Sequence, residues 1–448
     1  MSVATEATVG DLSARVAAHR RTAGRGAFVA LTLPTTVDAR RLLDDPRAHG
    51  VVASYERPEQ GLALVAVGEA GRVAAPWGAG PSVLRAQART LLDGPTGGDL
   101  PGLHPRLLGG FRFNPGAAPS TPWQAFGAGW LVLPRILFVS SGESNAAILA
   151  PGAEARELER LVQHASAAPV EAPTAALHIE VPVDRQRWCD SVATIAAEVR
   201  AGAYEKAVLA STMTLAGDGP ISVGRALGRL RSAYPDCHVF TMTSGDATFL
   251  GASPELLVSL VGGQARSLGL AGSTRRGADA AEDDRLGAAL LASAKDRIEH
   301  ETVVRAIRER LEGATDDLRA PNQPGLRKLR NIQHLATEIT GHVRVGVDIL
   351  DLVERLHPTP AVCGWPADRA RAVIAAHEAF DRGWYSGPLG WLDGAGDGEF
   401  AVALRSAVVE GERAYLFAGN GIMGDSDPQA EFAEVQLKFR PIAEALGA

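Results

Sequence analysis

The segment that most constrains the fold lies near the C-terminus, where residues 417–439 are FAGNGIMGDSDPQAEFAEVQLKF. Gly419-Asn420-Gly421 predicts a turn whose backbone can approach a ligand closely, because glycine has no Cβ and tolerates positive φ. Asp425-Ser426-Asp427-Pro428 predicts the start of a helix, with a polar cap and a proline in the first turn. The segment therefore predicts a close-approach turn followed directly by a helix.

The predicted C-terminal helix carries charged residues beside its buried face. Its apolar stripe consists of Phe432, Val435, Phe439 and Ile442. Along one edge of that stripe lie Glu431, Glu434 and Lys438 at helical spacing. Two interpretations stay open: a capped amphipathic helix with an i,i+4 ion pair, or a site for an anion that is held through a metal ion.

Composition limits the class of protein. The chain has 448 residues and a net charge of −7, which allows one large domain or two to three smaller ones and argues against a nucleic-acid partner or an anionic membrane surface. Its three cysteines form no metal-ligand or disulfide pattern, which indicates a reducing compartment. The N-terminus lacks a signal-peptide pattern, and the apolar run from Trp130 is too short to span a bilayer. We therefore expect a cytoplasmic protein with no membrane partner.

Alternating apolar segments dominate the first part of the chain. GAFVALTLP, GLALVAVG, GGFRFNP and WLVLPRILFV predict strands. The next segment, GAEARELERLVQHAS, predicts a helix that leads into a proline- and alanine-rich connector at about residues 165–176. We place a soft boundary there, between a divergent N-terminal part (1–175) and a catalytic core (176–448).

Candidate site residues concentrate after the connector. A helix is predicted to run into a strand that starts at Lys206, and Glu255 follows a turn-like Gly-Ala-Ser-Pro sequence. The spacing predicts a long helix over about Asp283–Leu311, with Asp296 and Glu299 at the acidic end of its buried stripe. A second helix is predicted over LRNIQHLATEITGHV, with His334 near its middle.

Arg405 lies inside the apolar segment EFAVALRSAVVEG, which predicts the middle strand of a second meander. An arginine in such a strand predicts a carboxylate partner, either in a substrate or in a structural ion pair. Two acidic i,i+3 pairs on separate helices suit Mg²⁺, which prefers hard oxygen ligands. Together with the basic residues, these pairs favour an enzyme that acts on a small polyanion with magnesium.

Six ordered segments carry a more specific pattern. They are FLGASPELL (249–257), LAGSTRRG (270–277), SAKDRIEH (293–300), IQHLATEI (332–339), HPTPAVCG (357–364) and AGNGIMGDSDPQAEFAEVQLK (418–438). From about residue 180 onward the chain resembles the chorismate-utilising enzymes, which include isochorismate synthase, salicylate synthase, anthranilate synthase component I and aminodeoxychorismate synthase component I. A weaker trace of the pattern lies upstream in GGFRFNP.

The resemblance implies a site for chorismate and magnesium. Glu299 and Glu434 match direct Mg²⁺ ligands, and Asp296 and Glu431 match positions that reach the metal through water. The metal would hold the ring carboxylate of chorismate. The positions that match substrate contacts are Gly272, Ser273, Ala361, Tyr385, Arg405, Gly419, Gly421 and Lys438. Among these, Arg405 and Tyr385 match residues that bind the enolpyruvyl carboxylate.

The resemblance also implies the reaction. Lys206 falls where water-using members carry a lysine base and ammonia-using members carry glutamine, so no glutaminase subunit is expected. Glu255 matches the acid that protonates the departing C4 hydroxyl, and His334 lies beside the ring carboxylate. A lysine accepts a proton from water only in its neutral form, which burial near cations favours.

Isochorismate synthase is the predicted activity, because Ala361 stands where salicylate synthases carry threonine. A salicylate synthase and a chorismate-binding paralogue without turnover stay open as alternatives. The resemblance implies an α+β fold: a single large α/β sandwich of two antiparallel-rich sheets with outer helices. The connector near residue 170 would then be a loop inside a single domain that spans residues 1–448. A monomer is expected.

Overall fold

Short alternating apolar segments favour strands, and the chain folds mainly into β-structure with helices packed outside it. The computed structural model describes residues 11–24, 26–100, 102–167, 175–330 and 332–448. The α-helices of these residues are α1 (Leu12–Ala23), α2 (Arg85–Leu92), α3 (Ala155–Ser166), α4 (Arg185–Arg200), α5 (Val223–Ala233), α6 (Ala280–Ala292), α7 (Ala294–Glu312), α8 (Ile349–Leu356), α9 (Ala367–His377) and α10 (Pro428–Leu446).

The strands fall on both sides of the predicted connector. The first group is β1 (Phe28–Leu33), β2 (Val51–Arg57), β3 (Leu62–Val67), β4 (Gly71–Ala74), β5 (Thr96–Gly98), β6 (Arg106–Phe111), β7 (Gly129–Leu133), β8 (Ile136–Ser141) and β9 (Ser144–Leu149). The second group is β10 (Leu177–Val181), β11 (Lys206–Gly217), β12 (His238–Ser244), β13 (Ala247–Ser253), β14 (Leu256–Val261), β15 (Gln264–Arg275), β16 (Thr315–Arg319), β17 (Gly325–Lys328), β18 (Ile332–Val343), β19 (Gly364–Trp365), β20 (Pro388–Asp393), β21 (Gly398–Val402), β22 (Ser406–Glu410) and β23 (Arg413–Ile422).

These strands form two sheets. The first has 13 strands in the order β10-β11-β23-β22-β13-β12-β2-β3-β8-β9-β1-β5, with β19 beside β11. The second has 10 strands in the order β16-β18-β15-β14-β21-β20-β6-β7-β4, with β17 beside β18. Among the described strands, only β1 and β5 pair in parallel. Pairing of β12 with β2 and of β20 with β6 joins the two groups of strands within each sheet.

The core follows the alternation of side chains along each strand. In β3, Leu64 and Ala66 face a cluster that includes Phe400 of the second sheet. Val65 and Val67 point the other way, into a cluster that includes Phe439 of α10. Since successive side chains of a strand point to opposite faces, one face of the first sheet packs on the second sheet and the other packs on helices. The predicted sandwich of antiparallel-rich sheets with outer helices is confirmed.

Two neighbouring connections pass from one sheet to the other at the same place. Pro254-Glu255 joins β13 of the first sheet to β14 of the second, and residues 403–405 join β21 of the second to β22 of the first. The two connections are hydrogen-bonded together, because the Val402 N–H donates to the Glu255 carbonyl at 3.0 Å and the Ala252 N–H donates to the Arg405 carbonyl at 3.2 Å. We call this place the sheet crossing, defined by residues 254–255 and 403–405.

The sheet crossing corrects the predicted position of Arg405. The segment EFAVALRSAVVEG is not one strand, since it divides into β21 and β22, which belong to different sheets. Arg405 lies between them with φ 49°, in the left-handed region that non-glycine residues seldom occupy. Apolar alternation continues through the break, so the sequence pattern alone does not reveal it.

Two helix predictions were also wrong. The segment with His334 is strand β18, in which Gln333, Leu335, Thr337 and Ile339 are buried at alternate positions. Its β-branched residues favour a strand, and pairing with β15 along the strand provides the partner. The long helix predicted over about 283–311 is two helices, α6 and α7. It breaks at Ser293, whose side chain accepts a hydrogen bond from the Asp296 N–H and so caps α7.

The predicted start of the C-terminal helix is confirmed. Asp427 caps α10 by accepting hydrogen bonds from the N–H groups of Gln429 and Ala430, and Pro428 is its first residue. Residues 168–174 of the predicted connector lie outside the described part of the chain. None of the helices in the described ranges combines the length and the apolar character needed to cross a membrane.

Candidate active site

The sheet crossing forms one wall of a cavity of about 250 Å³. The other walls come from strands β11, β15, β18 and β23, helices α7 and α10, the loop that precedes β19, and residues 385–386 before β20. Every residue that the sequence analysis assigned to the site lines this cavity: Lys206, Glu255, Gly272, Ser273, Asp296, Glu299, His334, Ala361, Tyr385, Arg405, Gly419, Gly421, Glu431, Glu434 and Lys438. The tertiary structure therefore brings together residues that are up to about 230 positions apart in the chain.

Lys206 is the first residue of β11, and its side chain is 2% exposed. Its Nζ donates a hydrogen bond to Glu299 Oε1 on α7 at 2.6 Å. On the neighbouring strand β23, a Cβ at Gly421 would lie 2.5 Å from Lys206 Cε. Glycine at 421 therefore makes room for the lysine side chain. This role differs from the predicted turn, since Gly419-Asn420-Gly421 is part of β23 and pairs with β11.

Glu255 is a buried carboxyl group whose environment favours the protonated form. Burial raises its pKa to about 7, against smaller opposing effects of Lys206 and of a hydrogen bond from Thr359. The Thr359 Oγ1 donates to Glu255 Oε1 at 3.4 Å. Near neutral pH, Glu255 therefore carries a proton that it can donate, as a general acid must.

Helix α10 contributes two glutamates that are held differently. Glu434 Oε1 accepts a hydrogen bond from Lys438 Nζ at 2.8 Å. Burial alone would raise the pKa of Glu434, but the Lys438 ammonium together with Arg405 and His334 lowers it. Glu431 is buried, and its carboxylate accepts from Ser426 Oγ at 2.7 Å and from Asn420 Nδ2 at 3.0 Å. Burial, reinforced by the nearby Glu434, raises the pKa of Glu431.

The fourth acid of the cluster, Asp296, lies in the first turn of α7 and accepts a hydrogen bond from Ser293 Oγ. Burial raises its pKa, and the negative charges of Glu299 and Glu434 raise it further. Carboxylates that raise one another's pKa carry negative charge that a cation would relieve.

The chemistry of this donor set fits Mg²⁺, which binds carboxylate oxygens. Asp296, Glu299, Glu431 and Glu434 all line the cavity. In the part of the chain that the structure describes, however, no three acidic, histidine or cysteine side chains already stand close enough to hold a metal ion. Lys206 and Lys438 occupy oxygens of Glu299 and Glu434. A metal ion that binds these same two oxygens would therefore have to displace the lysine contacts.

Two further side chains suit a carboxylate ligand. Arg405 faces the cavity, and no carboxylate within the described ranges lies at ion-pair distance from it, so the structural ion pair left open by the sequence does not form there. Burial raises the pKa of Tyr385 to about 12, which keeps its hydroxyl a hydrogen-bond donor at neutral pH. Arginine and a phenol hydroxyl can bind one carboxylate between them.

His334 lies on β18 directly opposite Ser273 of β15. Burial, together with the positive charges of Arg405 and Lys438, lowers its pKa to about 3. Its Nε2 is buried and has no hydrogen-bond partner among the described residues. His334 is therefore neutral at physiological pH and offers one unused nitrogen beside the cavity.

Sequence reasoning missed several residues that support the site. Thr359 contacts Glu255, and Ser426 and Asn420 bind Glu431. Lys295 lies at the cavity wall with its side chain 42% exposed. Thr359 and Lys295 fall inside segments that carry the family resemblance, but neither residue type signals its role without its contacts.

Comparison with known proteins decides the family. The sequence profile described as chorismate binding enzyme matches residues 16–447. This chain belongs to the chorismate-binding enzyme family. The match extends into the N-terminal part, which sequence reasoning treated as divergent.

The relatives of this family member include isochorismate synthases. The chain is 44% identical to the salicylate biosynthesis isochorismate synthase of Pseudomonas aeruginosa over 77% of this chain and 75% of that protein. It is 36% identical to the isochorismate synthase MenF of Bacillus subtilis over the same shares, 77% and 75%. The structure of MenF, the menaquinone-specific isochorismate synthase of Escherichia coli, superposes with a TM-score of 0.77 at 26% identity, covering 94% of each chain. The prediction of an enzyme related to isochorismate synthases is confirmed.

Proposed function

We propose that this protein is an Mg²⁺-dependent isochorismate synthase that converts chorismate to isochorismate. The observation that carries the proposal is the pairing of Lys206 and Glu255 in one cavity. Glu255 has a pKa of about 7 and so holds a proton near neutral pH, while Lys206 is buried and held by Glu299. The cavity thus contains both a candidate base, which water addition requires, and a candidate acid, which loss of the hydroxyl requires.

In the proposed reaction each of these two groups transfers one proton. In its neutral form, released from the contact with Glu299, Lys206 accepts a proton from water as the water oxygen attacks C2 of the chorismate ring. The ring double bonds shift, and Glu255 protonates the C4 hydroxyl as the bond from C4 to that oxygen breaks. One water enters and one leaves, so substrate and product are isomers.

Substrate binding would use basic and hydroxyl side chains of the cavity. Chorismate carries two carboxylates, and Arg405 with Tyr385 offers one binding place for a carboxylate. Lys438 and the neutral His334 line the same cavity as the four acidic side chains. When bound by Glu299 and Glu434, with Asp296 and Glu431 nearby, Mg²⁺ would supply positive charge for the ring carboxylate.

A product assay tests the proposal. Purified protein is incubated with chorismate and Mg²⁺ at neutral pH, and the products are separated by chromatography with and without EDTA. We expect isochorismate in equilibrium with chorismate, and we expect EDTA to abolish it. Added ammonium should yield no anthranilate, since the proposed base is a lysine that activates water.

The alternatives give different products. Salicylate together with pyruvate would mean that the enzyme continues to a lyase step and that Ala361 does not exclude it. Binding of chorismate without any product would favour a non-catalytic paralogue and overturn the proposal. The cytoplasmic location and the monomeric state stay predictions.

A further inference from the structure

Between α9 and β20 lies a buried ion pair that the proposed reaction does not use. Glu378 and Arg382 have side chains that are 2% and 3% exposed. Arg382 Nε donates to Glu378 Oε2 at 2.8 Å, and Arg382 Nη2 donates to Glu378 Oε1 at 2.5 Å. Burying two charges is costly unless their remaining hydrogen-bonding atoms are also satisfied, so the other partners of this pair reveal what it holds.

Those partners are backbone groups of two segments that line the active site. Arg382 Nη1 donates to the Val362 carbonyl and Nη2 to the Val208 carbonyl, each at 2.8 Å. Glu378 Oε1 accepts from the Ala210 N–H at 2.7 Å. Val208 and Val362 both line the cavity. Among the described residues, the two side chains make no other hydrogen bonds outside the pair.

The two segments carry the groups assigned to the reaction. Val208 and Ala210 belong to β11, which begins at Lys206. Val362 belongs to the loop 357–363, which also carries Thr359, the hydrogen-bond partner of Glu255. We call the strand residues 206–210 and this loop the two braced segments. The Val208 N–H also donates to the Cys363 carbonyl at 2.9 Å, so the braced segments touch directly beside the ion pair.

The backbone of Arg382 provides a third connection to the site. Its carbonyl accepts a hydrogen bond from the Tyr385 N–H at 2.9 Å, which closes a turn and orients the segment that carries Tyr385. The guanidinium itself packs 4.3 Å from the ring centre of Phe113. The Arg382 guanidinium makes four hydrogen bonds at once, two to the carboxylate and two to carbonyls, whereas a lysine ammonium has only three N–H donors on one atom.

We propose that Glu378 and Arg382 are positioning residues for this reaction. They hold the strand of Lys206 and the loop of Thr359 and Ala361 at a fixed spacing, so that the base and the acid both reach the bound substrate. This proposal rests on the proposed function. Misplacement of reacting groups by about 1 Å can cost about a hundredfold in rate. Loss of the brace should therefore reduce turnover more than substrate binding.

The test compares Arg382→Lys with Arg231→Lys. Arg231 forms a similar forked pair with the buried Glu56, through Nε to Oε2 at 2.6 Å and Nη2 to Oε1 at 2.9 Å, and it does not line the cavity. For Arg382→Lys we expect kcat to fall about tenfold to a hundredfold with KM changed less than about threefold. For Arg231→Lys we expect kcat within about twofold of wild type, even if its Tm falls as much as the Tm of Arg382→Lys does.

Hydrogen exchange gives a second readout that needs no substrate. In Arg382→Lys, peptides that cover the two braced segments should exchange faster than in the wild type, while peptides of β2 and β3 remain unchanged. Glu378→Gln, which keeps the side-chain size, provides a second variant if Arg382→Lys folds poorly, and it should show the same local pattern.

The outcomes separate the two proposals. Unchanged kcat and unchanged exchange in both variants, or an equal loss of kcat in Arg231→Lys at matched Tm, would overturn the positioning role and leave an ordinary structural ion pair. If the wild type makes no isochorismate, the proposed function fails, and faster exchange confined to the braced segments would still support the brace itself. Unchanged exchange in that case would refute the positioning role of Glu378 and Arg382 without any activity measurement.

Discussion

Replacing Glu255 by glutamine should change how the stability of the protein depends on pH. Burial raises the pKa of this carboxyl group from its ordinary 4.5 to about 7. The folded state therefore binds a proton more tightly than the unfolded state does. Stability from this group is fully present below pH 4.5 and is lost as pH rises through about 7.

The size of the effect follows from the two pKa values. Each tenfold difference in proton affinity is worth about 1.4 kcal/mol, so the difference between 4.5 and about 7 corresponds to about 3 kcal/mol. Most of that loss, about 2.5 kcal/mol, should fall between pH 5 and pH 8. Glutamine does not titrate, so Glu255→Gln should gain about this much stability relative to wild type over the same interval.

Urea unfolding at pH 5 and pH 8 measures the change. The control is Glu338→Gln, which removes a carboxylate that is 44% exposed. The difference in unfolding free energy between this variant and the wild type should vary by less than about 1 kcal/mol between pH 5 and pH 8. Glu255→Gln should also lose turnover, and the wild-type rate should fall above about pH 7 as Glu255 loses its proton. A stability difference that stays constant between pH 5 and pH 8 would refute the reasoning, because Glu255 would then be an ordinary ionised carboxylate.

Three further substitutions test other parts of the site. Lys206→Ala should lower kcat about 10²- to 10⁴-fold with an unchanged circular dichroism spectrum, whereas Lys328→Ala, which removes a lysine outside the cavity, should keep wild-type turnover. Glu434→Gln should raise the Mg²⁺ concentration for half-maximal activity about tenfold or more, and an unaltered metal dependence would leave Glu434 as only the ion-pair partner of Lys438. Gly421→Ala should lower kcat at least about tenfold, because the new Cβ would lie 2.5 Å from Lys206 Cε, while Gly228→Ala, where no atom lies within 4 Å of the added Cβ, should remain active.

The membership of the site could be predicted from the sequence. Glu255 and the acidic pairs lie in motif segments, whereas Lys206 and Arg405 lie outside them and are identified by the wider resemblance. The family match confirms the relationship. The cap of α10 was also predictable, since Asp427 and Pro428 act through local backbone groups. Local chemistry of this kind depends on neighbours in the chain, which the sequence contains directly.

The elements that carry these residues were less predictable. His334 was assigned to a helix and lies on β18. The apolar spacing in LRNIQHLATEITGHV fits both a helix and a strand, and only pairing with β15 decides between them. Arg405 was assigned to the middle strand of a meander and lies at the sheet crossing, since apolar alternation does not show where the chain passes from one sheet to the other. Such outcomes depend on partners that are distant in sequence.

The sequence by itself determined the family and the residue types of the site, because the spacing of short motifs is a property of the chain alone. Only the tertiary structure decided the state of those residues. Glu255 keeps a proton near pH 7 because packing removes water from it, and Gly421 leaves room for Lys206 because β23 pairs with β11. Arg382 donates to carbonyls 20 and 174 positions away, and Glu378 accepts from an N–H group 168 positions away. Desolvation and long-range hydrogen bonds arise only when distant segments pack together, so no local pattern contains them.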